Sequence, residues 1–294
     1  MIYSELEISP AGDRHLLATL GDDASLEANF ITLHFTAELD KLAIVGLTDL
    51  IPSYNSILIQ YDFNLLDFYD LCGELIRIYN ALPSSSELEI ASRLVTIPVL
   101  YFDPWTKDCI DDYRIKVAER EYDPLFVARV NNLRSPEEVV ARHSGGEHWV
   151  VTVSSFPGLP ILRPLDPRCG LLSPKYNPPR MWTPVGAIGV GGTSTSIYTI
   201  PSPGGYNLIG RTPIPVWDPS QALSAFKDNA ILLRASDRVR FAPISREQYD
   251  DIDNSVREGS YAYAIQPGMF SVKSYRTWLA TLTAGEAAED RLST

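Results

Sequence analysis

Apolar and polar positions in the first third of the chain switch between two periods. "RHLLATLG" reads as a short strand ending at Gly21. "SLEANFITLHFTAELDK" has a helical period with Leu26, Phe30, Leu33 and Ala37 on one face, and Ser25 stands where it caps the first turn. After a turn at Pro52, "SILIQYD" is a buried strand. "LLDFYDLCGELIRIYNAL" is a second amphipathic helix with Cys72 near its apolar side. "PSSSE" (83–87) is a linker, and "RLVTIPVLYFD" opens the next unit as a strand.

From about residue 97 to 245 the pattern changes. Proline and glycine become dense and the apolar segments shorten: "HWVVTVS", "GAIGVGG", "SIYTI", "YNLIG", "RVRFAPI". Short strands with frequent turns predict a barrel or sandwich. One helix interrupts them, from Ser135 to His143, with Ser as N-cap, Pro at N1 and early acids. Beyond 245, "SREQYDDIDNSVREG" and "VKSYRTWLATL" read as two helices, and the last dozen residues as disordered. The expected organisation is an α+β chain: a small α/β domain over 1–96, a barrel or sandwich domain over 97–245, and a helical appendage with a disordered tail over 246–294.

Composition narrows the function. The chain has 294 residues, 45% hydrophobic and 21% charged, with a net charge of −12. That balance is globular and acidic, which argues against nonspecific nucleic-acid binding and polybasic membrane attachment. No apolar run approaches the ~18 residues of a membrane span, and the N-terminus does not read as a signal peptide. Cys72, Cys109 and Cys169 are scattered and read as reduced thiols of a cytoplasmic protein. His15, His34, His143 and His148 have no zinc-type spacing, so no metal site is expected. His143, at a helix end, reads as a core or dipole-compensating histidine rather than a catalyst.

The candidate chemistry lies in "KYNPPRMWTPVGAIGVGG" (175–192) and "SPGGYNLIGRTP" (202–213). Lys175 and Arg180 frame a loop that prolines 174, 178 and 179 stiffen without hydrogen bonds. It is either a rigid basic loop facing an anion or a surface loop of solvated charges. Gly186, Gly189, Gly191 and Gly192 are not a phosphate loop, because no GK[ST] and no helix follow. They form a tight barrel corner, or they expose backbone N–H groups to an oxyanion. Arg211, after Gly210 at a strand end, is either a carboxylate clamp or a structural ion-pair partner. Ser194, Thr195 and Ser196 offer hydroxyls that no sequence feature activates.

"IPSYNSILIQYD", "VTIPVLYFD", "SPEEVVARHS", "LDPR", "SPGGYNLIGRTP" and "DRVRFAPI", in that order, resemble the allophanate hydrolase subunit 1 family over roughly residues 10–245. That family takes in the B subunit of bacterial 5-oxoprolinase, a histidine-kinase inhibitor of sporulating bacteria, and half of the carboxyltransferase domain of urea carboxylase. "KYNPPRMWTPVGAIGVGG", "VLYFDPWTKDCIDDY" and the tail after 243 are most similar to the urea carboxylase branch. The resemblance implies a cyclophilin-like β-barrel for 97–245. It implies a subunit of a biotin-dependent carboxyltransferase acting on a urea-like or amide small molecule. The partners implied are an allophanate hydrolase subunit 2-type protein, a biotin carboxylase, and a separate biotin carrier presenting carboxybiotin, with ATP used by a partner subunit. On that reading Arg211, Lys175 and Tyr198 are catalytic, and Gly189, Gly191, Gly192, Arg180, Asn177 and Ser194 bind substrate or oxyanion. "SSFPGLPILRP" (154–164) and "TSTSIY" (193–198) depart from the urea carboxylase pattern where substrate is read, which leaves the acceptor open. The alternatives are the B subunit of an ATP-dependent 5-oxoprolinase-like lactam hydrolase and a histidine-kinase-binding regulator.

Overall fold

A computed structural model describes residues 1–154 and 156–292, with side chains as far as Leu282. The disorder expected for 283–294 concerns positions outside the described side chains. The chain divides into two units: residues 1–92 with 268–294, and residues 93–267.

The first unit opens with β1 (Ile2–Pro10) and β2 (His15–Gly21), followed by α1 (Leu26–Leu42), β3 (Leu47–Pro52), β4 (Ser56–Tyr61), α2 (Phe68–Asn80) and β5 (Glu89–Ala91). Four strands form an antiparallel sheet in the order β1-β2-β4-β3. The central strands alternate strictly: Leu16, Ala18 and Leu20 of β2 and Ile57, Ile59 and Tyr61 of β4 are buried. β1 and β3 lack that signal because they are edges; β1 buries only Leu6. Ser25 caps α1 by accepting a hydrogen bond from Ala28 N at 3.1 Å. The apolar face of α1 differs from the expected stripe. Ala37 is exposed, while Phe35 and Leu39 are fully buried in the sheet-side core.

The second unit begins with β6 (Leu94–Tyr101). Three helices follow: α3 (Pro104–Lys116), α4 (Asp123–Val130) and α5 (Pro136–Ser144). Then come β7 (Glu147–Val153), β8 (Pro160–Pro164), β9 (Ala187–Gly191), β10 (Ser194–Ile197), β11 (Asn207–Arg211) and β12 (Arg238–Pro243). Seven of these strands run β11-β9-β10-β8-β7-β12-β6, and β11 also pairs with β6, which closes the barrel. Gly210 sits at that seam opposite Tyr101. A Cβ there would lie 2.8 Å from Leu100 O and 2.9 Å from Val99 Cγ1, so only glycine lets the strands meet. Val95, Ile97, Val99, Val150, Ile188 and Phe241 belong to the core of this unit. Ser135 occupies the N-cap of α5 as expected, but its side chain makes no capping hydrogen bond.

The expected appendage, 246–294, is shared between the two units. α6 (Arg246–Arg257) starts with a Ser245/Gln248 capping box, and β13 (Ile265–Gln266) pairs with β6. The chain then returns to the first unit, where β14 (Met269–Ser271) pairs with β5 and leads into α7 (Val272–Leu292). Phe270 and Tyr275 pack on Phe30, with ring centroids at 5.2 and 5.6 Å. α1 therefore buries one face on the sheet and another on this returning segment, which is why a single stripe does not describe it. The segment expected as a linker contains a helical turn at Ser85–Glu87, and Arg276 donates to Ser85 Oγ at 2.8 Å.

Candidate active site

The two motif segments come together in the second unit. Tyr176 N donates to Gly205 O at 2.7 Å, Arg180 N to Gly204 O at 2.9 Å, and Gly204 N to Arg180 O at 3.1 Å. Ser173 and Gly192 exchange two further backbone bonds of 2.9 and 2.8 Å. Tyr113 of α3 donates its hydroxyl to Pro178 O at 3.0 Å. The basic loop is therefore held by a backbone zipper and a side-chain bond as well as by its prolines, a correction to the expectation that prolines hold it without hydrogen bonds.

Beside this zipper lies a cleft of about 280 Å³. Lys175, Tyr198, Ser202 and Tyr206 line it, and Phe156, Leu159 and Ile161 supply apolar wall. The Lys175 ammonium stands 5.0 Å from the Tyr206 ring centroid, a cation–π arrangement. The Tyr198 hydroxyl accepts long hydrogen bonds of 3.4 Å from Arg180 Nη2 and Tyr206 N. Burial pushes the Tyr198 phenol above its ordinary value, partly opposed by Arg180, so it stays protonated and able to donate. The cleft thus combines one cation, two tyrosines and two serines against an apolar wall.

The structure brings Lys175 and Tyr198 to this cleft and leaves the other expected residues off its lining. Arg180 stands behind it, 1% exposed. Its guanidinium donates to Tyr206 O at 2.6 Å, lies 4.5 Å from the Tyr176 ring centroid, and is 4.0 Å from the Asp123 carboxylate. Asp123 also accepts from Tyr176 Oη at 2.5 Å, Leu208 N at 2.7 Å and Arg120 Nε at 3.3 Å. Burial pushes that carboxyl up, while Tyr176, the Leu208 amide and the two guanidiniums pull it back. This network fixes the floor beneath Tyr198.

Gly189 and Gly191 lie in β9, between β10 and β11. A Cβ on Gly191 would lie 2.4 Å from Tyr206 Cδ1, so the missing side chain makes room for that ring. Gly192 already spends its N–H on Ser173 O. Ser194 is buried on β10; Ser196, two residues on, lines the cleft and donates to Pro160 O at 2.7 Å. Asn177 is exposed on the loop and joined to Pro178 by a cis peptide bond. Arg211, at the far end of β11, donates to Val185 O at 2.7 Å and stacks 4.7 Å from the Trp105 ring centroid and 5.8 Å from that of Tyr249.

Sequence reasoning misses Ser202 and Tyr206 of the cleft and Asp123 behind it, and flags Phe156 only as part of the segment 154–164. "SPGGY" carries the first two, only a few residues after Tyr198, and that nearness is the signal that could have found them. Among the described residues, no group of three or more His, Cys, Asp or Glu is placed to hold a metal ion. No helix among them is long and apolar enough to cross a membrane.

Residues 6–226 match the family model described as carboxyltransferase domain, subdomain C and D. Urea amidolyase of Saccharomyces cerevisiae is 31% identical over 289 residues, 93% of this chain and 15% of that protein. The B subunit of Bacillus subtilis 5-oxoprolinase is 27% identical over 263 residues, 83% of this chain and 95% of that protein. The crystal structure of Kluyveromyces lactis urea carboxylase superposes with a TM-score of 0.84 at 25% identity, over 99% of this chain and 27% of that one. The chain thus spans about 15% of the length of the urea amidolyases it matches.

Proposed function

Because this chain belongs to the carboxyltransferase domain family of subdomains C and D, we propose that it contributes part of the active site of a biotin-dependent carboxyltransferase acting on a urea-like or amide small molecule. The observation that carries the reading is the cleft in which Lys175 and the protonated Tyr198 stand against an apolar wall. The residues present fit a biotin ring system: Phe156, Leu159 and Ile161 offer an apolar surface to the fused rings, and Lys175 and Tyr198 offer donors to a ureido oxygen. Such a group, when bound, supplies an activated carboxyl.

Lys175 holds negative charge on the carboxyl as it moves. Tyr198 donates a hydrogen bond where oxyanion charge develops, its position set by Arg180 and the Tyr206 amide. The glycines of β9 give the Tyr206 ring its place under Lys175. No side chain of the cleft is asked to act as a covalent nucleophile; positioning and fixed donors are sufficient for this chemistry. The partners proposed are an allophanate hydrolase subunit 2-type protein that completes the site, a biotin carboxylase that uses ATP, and a biotin carrier.

The test is reconstitution. The chain is combined with those three partners, ATP and bicarbonate, and carboxyl transfer to urea and related amides is measured. The chain alone is expected to be inert. Lys175→Met is expected to lower transfer by about a hundredfold or more with the melting temperature unchanged.

A second reading rests on the match to 95% of the B subunit of Bacillus subtilis 5-oxoprolinase. Lactam opening that needs ATP and a second 5-oxoprolinase-type protein, without any biotinylated carrier, would move the assignment there.

A further inference from the structure

Lys175 and Tyr198 stand on different segments, and what fixes them relative to each other lies behind the cleft. Asp123, in the first turn of α4, is fully buried and is not part of the cleft lining. Its carboxylate nevertheless reaches the segments that carry Lys175, Tyr198 and Tyr206. Tyr176, next to Lys175, donates its hydroxyl to it at 2.5 Å. Leu208 N, two residues after Tyr206, donates at 2.7 Å. Arg180, whose guanidinium bonds the Tyr198 hydroxyl, stands 4.0 Å away. A second buried side chain acts alongside. Asn207 Nδ2 donates to Pro174 O at 2.8 Å and to Ser173 Oγ at 2.7 Å, so the residues on both sides of Lys175 are pinned. Arg120 joins the two, donating to Asp123 and to Asn207 Oδ1 and stacking 3.7 Å from the Tyr176 ring centroid. A buried ion pair adds little net stability over an apolar core of the same volume. Stability alone therefore does not account for a carboxylate here; the directions of its bonds do.

We propose that Asp123 is the positioning residue of the cleft: it sets Lys175 through Tyr176 and Tyr198 through Arg180, so that the cation and the phenol address the same bound group. The inference rests on the reading of this cleft as part of a carboxyltransferase site, and adds to it a residue that touches no reactant. The two ties are separate. The Tyr176 hydroxyl acts on the Lys175 loop, and the Arg180 guanidinium acts on the Tyr198 phenol, so each can be broken while the other is kept.

The test uses the full chain with carbon-13 in its tyrosines and lysines. NMR follows the phenol carbon of Tyr198 and the ε-methylene of Lys175, whose protons the Tyr206 ring shifts upfield; thermal melting follows folding. Asp123→Asn keeps the shape and removes the charge, and is expected to move both signals. Tyr176→Phe keeps the carboxylate and the ring on which Arg120 and Arg180 stack, and is expected to stay folded. It should move the Lys175 signal toward that of an ordinary lysine and leave the Tyr198 signal in place. A merely structural role would lower the melting temperature and move neither signal. In the reconstituted complex, Asp123→Asn is expected to lower kcat about tenfold or more and Tyr176→Phe about threefold, with KM for urea within about twofold of wild type. An unmoved Lys175 signal in Tyr176→Phe overturns the proposal, as does an unmoved Tyr198 signal or wild-type kcat in a folded Asp123→Asn. If Asp123→Asn does not fold, Tyr176→Phe decides alone. Absence of transfer by the wild-type complex, with the signals moved as expected, would instead count against the proposed reaction and leave the positioning role standing.

Discussion

Gly191 matters for what it leaves room for. Its missing Cβ admits the Tyr206 ring, and that ring carries the Lys175 ammonium. Gly191→Ala is therefore expected to move the ring and lower turnover in the reconstituted complex by about tenfold or more, since small misplacements near reacting groups are costly. The melting temperature should fall only modestly, and wild-type turnover would show that the ring does not position the cation. Arg211 makes the opposite case. It is tied to the Val185 carbonyl and stacked on Trp105. Arg211→Lys keeps the charge but loses the planar fork. The expected loss is about 1 kcal/mol of stability, read in urea unfolding, with turnover per folded molecule unchanged. A folded, stable variant with reduced turnover would return Arg211 to the catalytic set.

At the scale of elements, α3 holds the site loop. Besides the Tyr113 bond, Trp182 Nε1 donates to Asp112 Oδ2 at 2.9 Å and Cys109 Sγ to Trp182 O at 3.1 Å. The helix starts at Asp103, whose buried carboxylate accepts from Thr106 N at 2.9 Å and Thr106 Oγ1 at 2.6 Å. Asp103→Ala is expected to destabilise the protein by about 1–2 kcal/mol in chemical denaturation, and Asp103→Asn, which keeps an acceptor, by less than half of that. Equal losses for both would show that charge, not capping, matters there. This helix is legible in the sequence, although a reading of 97–245 by short strands and turns omits it. Asp103-Pro104 is an N-cap and N1 pair, and Thr106, Cys109, Ile110 and Tyr113 repeat at helical spacing on its buried face. The central strands β2 and β4 are legible because one face is buried, whereas edge strands β1 and β3 give no alternation to read. The barrel is legible in its short strands and turns, and Lys175 and Tyr198 in their motifs. Ser202 is legible only through its nearness to Tyr198; it is the fold that brings "SPGG" against the Lys175 loop. The glycine run suggests N–H donation in the sequence. The structure instead places the Tyr206 ring against Gly191, a long-range packing fact that local sequence does not carry.

At the scale of the molecule, the barrel unit carries a built-in acid limit. His143 and His148 are each 1% exposed, and their rings sit 4.9 Å apart. Nδ1 of His143 shares a 2.7 Å hydrogen bond with Tyr101 Oη, and its Nε2 a 3.1 Å bond with Thr195 Oγ1. His148 donates from Nε2 to the His143 carbonyl at 2.8 Å, and both rings lie against Phe241. Burial holds His143 well below the usual histidine range, reinforced by His148, and lowers His148 to about 4. In the unfolded chain both return to about 6.5. Between those values the unfolded state binds more protons, so stability is complete above about pH 6.5 and is lost as pH falls. Each histidine contributes a slope of up to roughly 1.4 kcal/mol per pH unit, about 2.7 for the pair. Carboxylates held low by their partners, such as Asp23 and Asp166, act mostly below about pH 4. Burial raises Asp103 and Asp123, which take up protons in the folded state and oppose the histidine limb, so comparing wild type with a variant of one histidine isolates that limb. Urea unfolding between pH 7 and 4.5 is expected to display the histidine limb. His148→Gln, which keeps a donor for the His143 carbonyl but cannot titrate, should roughly halve its slope while leaving stability at pH 7.5 within about 1–2 kcal/mol of wild type. A slope unchanged by the substitution would mean that His148 does not gate acid unfolding, and the limit would have to be sought in the carboxylates instead.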